Sequence, residues 1–384
     1  MKFASILAFL LTGAATGLSW NIFTVPHSGG QDDTPALLAA LPKFSTNSTI
    51  LFQQGITYNI FTPIKFPTLN NVEVRIEGNL TYPSDITTVQ TAVASSSYPG
   101  AWYGIVFRST EIGGSLHPKW GWVDAHGQAK KRMGFIRDMK LWKPIGWNFA
   151  TSGSSNIHIF NNKIVAVSDS GVSFSAGGEN MLFENNSVQN GDDCLTVGSG
   201  AINITFRNSY CEGGHGLSIG SLGENGAVAN VQNNNTLYGA RFKSWTGGNG
   251  LARNITWKNI AFYDVPFPIY ITQNYWDQED GPKPTSSNVN NTHIADFLFQ
   301  GFVGIVKDIP FVEGSCVTDP CWYSVAGATG KEVAIFDLYP DTATNIVAKD
   351  ILAVTETHAP VAVMCNATTV RILEGPFIPT RAGL

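Results

Sequence analysis

The sequence predicts an all-β fold, a single-stranded parallel β-helix with a short capping helix near the amino end. Short alternating strands recur along the chain, set apart by Gly, Asn and Ser. Four of them are copies of one pattern: Asn156-Ile157-His158-Ile159-Phe160-Asn161, Asn180-Met181-Leu182-Phe183-Glu184-Asn185, Asn203-Ile204-Thr205-Phe206-Arg207-Asn208 and Asn254-Ile255-Thr256-Trp257-Lys258-Asn259. Their starts lie 24, 23 and 51 residues apart, the last interval being about two further periods with Asn230-Val231 at the intermediate copy. A repeat of that length with several short strands and no long helix fits one turn of a coil whose rungs bury their inward side chains on one another. A β-sandwich or propeller would also show many short strands with turn signals, but propeller blades recur at nearer ~40 residues.

The elements follow in order. Met1-Lys2, an apolar run from Phe3 to Leu11 and small residues at Ala14, Ala15 and Gly17 have the layout of a secretory signal peptide, with cleavage expected between Gly17 and Ser19. Residues 1–19 are thus read as a leader and 20–384 as a single β-helix domain. The apolar run is shorter than the roughly 20 residues that a membrane span needs. Pro35 to Leu41 is the best helical stretch, with Thr34 as its cap and Pro35 in the first turn, and it is placed to cover the open end of the coil. Asn at the same corner of each rung can stack as a ladder and tolerates the left-handed backbone of a tight corner.

Asn-X-Ser/Thr acceptor sites for glycans recur at Asn47, Asn79, Asn185, Asn203, Asn234, Asn254, Asn290 and Asn366, as suits a secreted, extracellular protein. Five cysteines in an oxidising compartment leave one over. Cys194 and Cys211 are candidates for one bridge and Cys316 and Cys321 for a short local one, with Cys365 left; buried thiols are the alternative. A net charge of −5 with 14% charged residues lacks the basic face of a nucleic-acid binder. Lys130-Lys131-Arg132 reads as a solvated loop. A capped coil hides its own edges, so a monomer is expected.

Counting from the rung markers, Asp192 and His215 each stand 12 residues on, Asp169 stands 13, and Arg241 and Lys243 stand 11 and 13 after Asn230. Equal offsets in a stacked coil mean equal positions around its section, with rungs ~4.8 Å apart, so these residues are expected in one row on one face. Crowded carboxylates such as Asp192 and Asp193 divide into an acid and a base, the pair that glycoside hydrolysis uses. The bland reading of Asn190-Gly191-Asp192 is a turn. Gly214 and Gly216 leave the His215 imidazole open to a ligand. Arg241 and Lys243, two apart on a strand, face one way and form a cationic cradle for a carboxylate. An acidic sugar polymer is the partner that this row suits.

Asn190-Gly191-Asp192-Asp193-Cys194, Gly214-His215-Gly216-Leu217-Ser218-Ile219-Gly220-Ser221 and Gly239-Ala240-Arg241-Phe242-Lys243 resemble, in order and spacing, the signatures of polygalacturonases of glycoside hydrolase family 28. The wording is closest to fungal exo-acting members. The resemblance is strongest from Asn156 to Trp276, and Gly29-Gly30-Gln31-Asp32-Asp33-Thr34-Pro35 is similar to the usual beginning of these coils. It implies a right-handed, pectin lyase-like parallel β-helix and inverting hydrolysis of α-1,4-galacturonosyl linkages in pectin, with no metal or organic cofactor. It also implies Asp192 as general acid, Asp193 as a group that activates water, and His215 as support for the acid. Arg241, Lys243 and Asn190 would bind substrate, and Cys194–Cys211 would be a bridge bracing the site. The family's Asn-Thr-Asp-Gly, which supplies a third carboxylate, has no counterpart here: Ser168-Asp169-Ser170-Gly171 is nearest, making Asp169 the candidate. Phe267 stands where a Tyr usually lines the site. Alternatives are a pectin-binding β-helix with impaired catalysis, or a hydrolase of the same family acting on rhamnogalacturonan. A calcium-dependent pectate lyase shares the fold, but Gly-His-Gly and Arg-x-Lys argue against it.

Overall fold

The computed structural model describes residues 20–95, 105–109, 122–123, 134–144, 148–166, 171–222, 227–234, 239–276, 291–308 and 327–365. The leader, Lys130-Lys131-Arg132, Asp169, Cys316, Cys321, Asn290, Asn366 and the side chain of Asn234 lie outside the described residues.

Every strand pair among the described residues is parallel, and successive strands of each sheet belong to successive rungs, so the chain winds as a right-handed parallel β-helix. Among the described residues three sheets form the walls of its central body, and a five-stranded and a two-stranded sheet build the amino-terminal rungs. A long sheet contains the four Asn-flanked copies, running through Ser154–Phe160, Gly178–Glu184, Ile202–Arg207 and Gly250–Val265 to Ala343–Thr355. A second sheet, here the site sheet, passes through Phe174–Ala176, Leu195–Val197, Leu217–Leu222, Ala240–Trp245, Ile269–Tyr275, Glu332–Asp337 and Ala362–Cys365. A third, of four short strands, ends at Tyr210–Glu212. Ile204 pairs with Met181 and Val231, and Val231 with Ile255, which confirms the register read from the repeat.

Alternation fixes which side chains point inward. Ile157, Met181, Ile204 and Ile255 of the long sheet are buried, facing Phe174, Leu195, Leu217 and Ile269 of the site sheet in one continuous core. Its aromatic members stack along the axis, as Trp257 and Phe299 do with ring centroids 4.9 Å apart and planes at 5°.

The Asn residues at both ends of each copy explain why the pattern repeats. Asn156, Asn161, Asn180, Asn185, Asn203, Asn208, Asn254 and Asn259 all have φ between 49° and 58°, a left-handed conformation that Asn adopts at small cost and β-branched residues do not. Asn203 Nδ2 donates to Asn180 Oδ1 at 2.9 Å, so this acceptor site is also a ladder member. Inside the coil a second ladder runs beside it. Asn186 Oδ1 accepts from the backbone N–H and Nδ2 of Asn162, and Asn186 Nδ2 donates to the Ile159 carbonyl at 3.1 Å. Asn186→Ala strands these buried groups and is expected to lower stability by about 1–3 kcal/mol, read as a shifted urea midpoint.

The amino-terminal helix is Thr34–Ala40. Its Leu37, with Leu41, joins the core and covers the coil's first rungs. Thr34 is not the cap: the N-cap position is Asp33, with no side-chain cap bond, and Thr34 lies within the helix. The helix is tied down instead by carboxylates reaching the next rung. Asp33 Oδ2 accepts the Asn59 N–H at 2.8 Å, and Asp32 accepts from Thr34, Phe61 and Thr62. A second helix, Ile86–Ser95, escapes the sequence reading because Ala and Thr dominate it and its apolar stripe is weak. Asp85 starts it by accepting the Thr88 N–H at 2.7 Å. Among the described residues no helix is long and apolar enough to cross a membrane.

Candidate active site

The site lies where two turns enter the site sheet. Asn190 and Gly191 turn the chain into Leu195–Val197, and Gly213 to Gly216 turn it into Leu217–Leu222. Gly214 is required: a Cβ there would stand 2.0 Å from the Asp192 carbonyl. Gly216, at φ +82°, has the Gly239 carbonyl 2.8 Å from where a Cβ would be. Asn190 is buried, and its Nδ2 donates to Ser173 Oγ at 2.9 Å and to the Asp193 carbonyl at 3.1 Å. Asn190 thus sits inside the turn that presents the two carboxylates, its Nδ2 engaged there and its buried Oδ1 without a hydrogen-bond partner among the described residues.

Leu195 pairs with Leu217, so Asp193 and His215 stand opposite each other on adjacent rungs. The backbone agrees, with the His215 N–H donating to the Asp192 carbonyl at 3.0 Å. The single row does not extend to the cations. Arg241 pairs with Ser218, three residues beyond His215. Ser218 stands 15 residues after Asn203 but Arg241 only 11 after Asn230. Equal offsets fail because the corner between the two sheets is shorter on that rung. By the same register Gly171 stands opposite Asp192, and Asp169 lies outside the described residues.

The two adjacent aspartates have opposite surroundings. Asp193 is buried, its side chain 2% exposed, and both of its oxygens accept hydrogen bonds. Lys243 Nζ donates to Oδ2 at 2.8 Å, Arg241 approaches Oδ1 at 3.5 Å, and the Ser218 hydroxyl also donates to Oδ1. Arg241 and Lys243 are themselves buried, because alternate residues of their strand face Asp193 while Phe242 enters the core. The cradle predicted for a substrate carboxylate therefore holds a carboxylate of the chain itself. Burial and the Arg241 charge push the Lys243 ammonium down from its ordinary value, against the opposing pull of Asp193. Ser218 was not singled out in the sequence, although its register partner Arg241 was.

Asp192, by contrast, opens to solvent with His215, their side chains 27% and 22% exposed, and His215 Nδ1 lies 3.3 Å from Asp192 Oδ1. Burial raises the Asp192 carboxyl, but the His215 hydrogen bond and charge, the Lys243 charge and the Asp193 N–H together hold it down at about 2. The folded value is below the ordinary 3.8, so the stability it contributes is present above that value and is lost as pH falls through about 2. The urea midpoint should drop across that window by an increment that Asp192→Asn lacks.

Cys194 and Cys211 form a disulfide, closing the segment that carries Asp192 and Asp193 onto the third sheet. Among the described residues Cys365 is the free cysteine. Asp192, Asp193 and His215 offer ligand atoms within 4.8 Å of one another, as a metal site would. Arg241 and Lys243 already balance the two carboxylates, and both Asp193 oxygens are bonded, so the cluster needs no cation to offset its charge.

A cleft of about 180 Å³ opens beside His215 and runs along the coil axis past Arg241, Phe267 and Tyr270 to Asp264 and Lys307. Phe267 and Tyr270 pack with Ile335 as an apolar cluster apart from the main core.

A paired carboxylate and imidazole over a clamped second carboxylate, on the wall of a parallel β-helix, define a glycoside hydrolase. The family profile of glycosyl hydrolases family 28 matches residues 147–323. The probable exopolygalacturonase C of Aspergillus fumigatus is 37% identical over 338 residues, 77% of this chain and 75% of that one. The protein of the same name from Aspergillus terreus is 34% identical over 409 aligned residues, 95% of this chain and 93% of that one. Among solved structures, the endo-xylogalacturonan hydrolase from Aspergillus tubingensis shares the fold with a TM-score of 0.65 and 20% identity, covering 90% of this chain and 96% of that one. The chain belongs to glycosyl hydrolases family 28.

Proposed function

We propose that the protein is a secreted, exo-acting hydrolase of the α-1,4-galacturonosyl linkages of polygalacturonate, working by inversion. The observation that carries the reading is the contrast between the carboxylates: Asp192 is partly open to solvent and paired with His215, which lines the cleft, while Asp193 is locked beneath it by Lys243, Arg241 and Ser218. The exo mode and the substrate are supported by the names of the relatives from Aspergillus fumigatus and Aspergillus terreus. Secretion is supported by the leader-like amino end and by a disulfide, which persists in oxidising compartments.

In this reading Asp192 delivers the proton to the leaving glycosidic oxygen. Its carboxyl, held at about 2, is ionised in the open site, so it must take up a proton as the bound sugar excludes water, with the His215 imidazole beside it to support that step. Asp193 cannot swing out to bond the anomeric carbon, because both of its oxygens are held. That disfavours a covalent intermediate and leaves water as the nucleophile, with Asp193, and Asp169 as a candidate, to orient it. The ligand oxygens of Asp192 and Asp193 lie within 4.8 Å, closer than the ~6.5–9.5 Å usual between inverting carboxyl groups, so support for inversion comes from the clamped Asp193 and the family resemblance rather than from this spacing.

Incubation with polygalacturonate is expected to release monogalacturonate from the first time point, with little early fall in viscosity and with the anomeric product inverted. Release of mixed oligomers would overturn the exo mode, and binding without any reducing sugar would favour a pectin-binding protein.

A further inference from the structure

The cleft's far end carries a second charged pair that the proposed chemistry does not use. The cleft runs across successive rungs from His215, past Arg241 and then Phe267 and Tyr270, to Lys307. The Lys307 N–H donates to the Val265 carbonyl at 3.0 Å, which stacks it one rung beyond Asp264. Three rung steps separate the levels of His215 and Lys307, about 14 Å along the axis at the usual strand spacing. Of the cations lining the cleft among the described residues, Arg241 is buried on Asp193, whereas the Lys307 side chain is 40% exposed. Its partner is Asp264, 3.3 Å away and 45% exposed. An exposed pair of this kind is held weakly and exchanges readily for another carboxylate.

We infer that Lys307 is a substrate-binding residue that takes the carboxylate of a uronate unit lying in the cleft well away from the scissile bond, leaving Asp264 to do so, while Phe267 and Tyr270 supply the apolar wall. This rests on the reading of the cleft as a polygalacturonate site. An anionic polymer laid along the axis meets the buried cations near His215 only through the clamped Asp193, and Lys307 is the open positive charge that can select an acidic unit. Its reach from His215 makes its contribution depend on chain length.

The test compares wild type, Lys307→Gln and Lys307→Arg on digalacturonate and pentagalacturonate, with calorimetric binding of pentagalacturonate alongside. For Lys307→Gln, KM on pentagalacturonate is expected to rise about tenfold, the effect of one charge-assisted contact, with kcat unchanged and digalacturonate unaffected. Lys307→Arg should restore most of the loss, and added salt should narrow the difference. An unchanged KM on pentagalacturonate, or an equal rise on digalacturonate, overturns the inference. If wild type hydrolyses neither oligomer, the proposed function fails by itself, and the calorimetry then decides: weaker binding by Lys307→Gln supports the role of Lys307, and equal or absent binding overturns it.

Discussion

Asp192→Asn is expected to fold and to lower kcat/KM on polygalacturonate by about 10²- to 10⁴-fold, the range lost with a general acid. The amide is nearly isosteric and can still accept from His215 Nδ1, now 3.3 Å from Asp192 Oδ1, so the turn and the imidazole stay in place. What is lost is the ionised oxygen through which a proton passes. The folding cost at neutral pH should not exceed about 2–3 kcal/mol, the worth of a carboxyl held at about 2 instead of 3.8. Single-turnover kinetics with circular dichroism and a urea titration separate the two effects. A variant that keeps more than a tenth of wild-type kcat/KM would remove Asp192 from the acid's role and pass that role to His215.

Asp193→Ala is expected to act first on the fold. It leaves the Lys243 ammonium and the Arg241 guanidinium side by side, 9% and 5% exposed, without the carboxylate that compensates them. Breaking a buried pair in this way costs about 3–5 kcal/mol. Lys243 provides a signature. Burial and Arg241 already lower its pKa, and Asp193 is the first of the groups that raise it. Without Asp193 the lysine sheds its proton more easily, so the stability deficit should shrink as pH rises, whereas a packing defect would be insensitive to pH. Asp193→Asn, which keeps one acceptor oxygen for Lys243 and turns its NH2 to the Ser218 hydroxyl, should be less destabilised and still lack activity. A deficit below about 1 kcal/mol would mean that the cations find other partners.

Much of the coil was legible because its signals are local. The repeat places Asn at both ends of each copy, and those Asn hold the left-handed corners. Alternation places Ile204 and Phe206 inside, and the resemblance carried by the Asp pair, Gly-His-Gly and Arg-x-Lys points to the family that the comparisons show. The capping helix was found, but its cap was misassigned, because the bonds that hold it come from Asp32 and Asp33 to residues 59–62 and not from an i to i+3 motif. The helix at 86–95 carries too little amphipathic signal to be read.

The identities of Asp192, Asp193, His215, Arg241 and Lys243 as one neighbourhood are set by the sequence, since repeat spacing fixes which rungs adjoin. The division of labour among them is a tertiary matter. Asp192 and Asp193 are the same residue type one position apart, and only the alternation of the backbone against a neighbouring rung turns one toward solvent and His215 and the other inward to Lys243 and Ser218. Which charges are spent on the chain and which are left for a ligand depends on burial, and burial depends on corner lengths that vary from rung to rung. For that reason the sequence could name the Arg241 and Lys243 cradle but not its occupant, and Lys307, brought to the cleft from a rung far along the chain, left no mark in it.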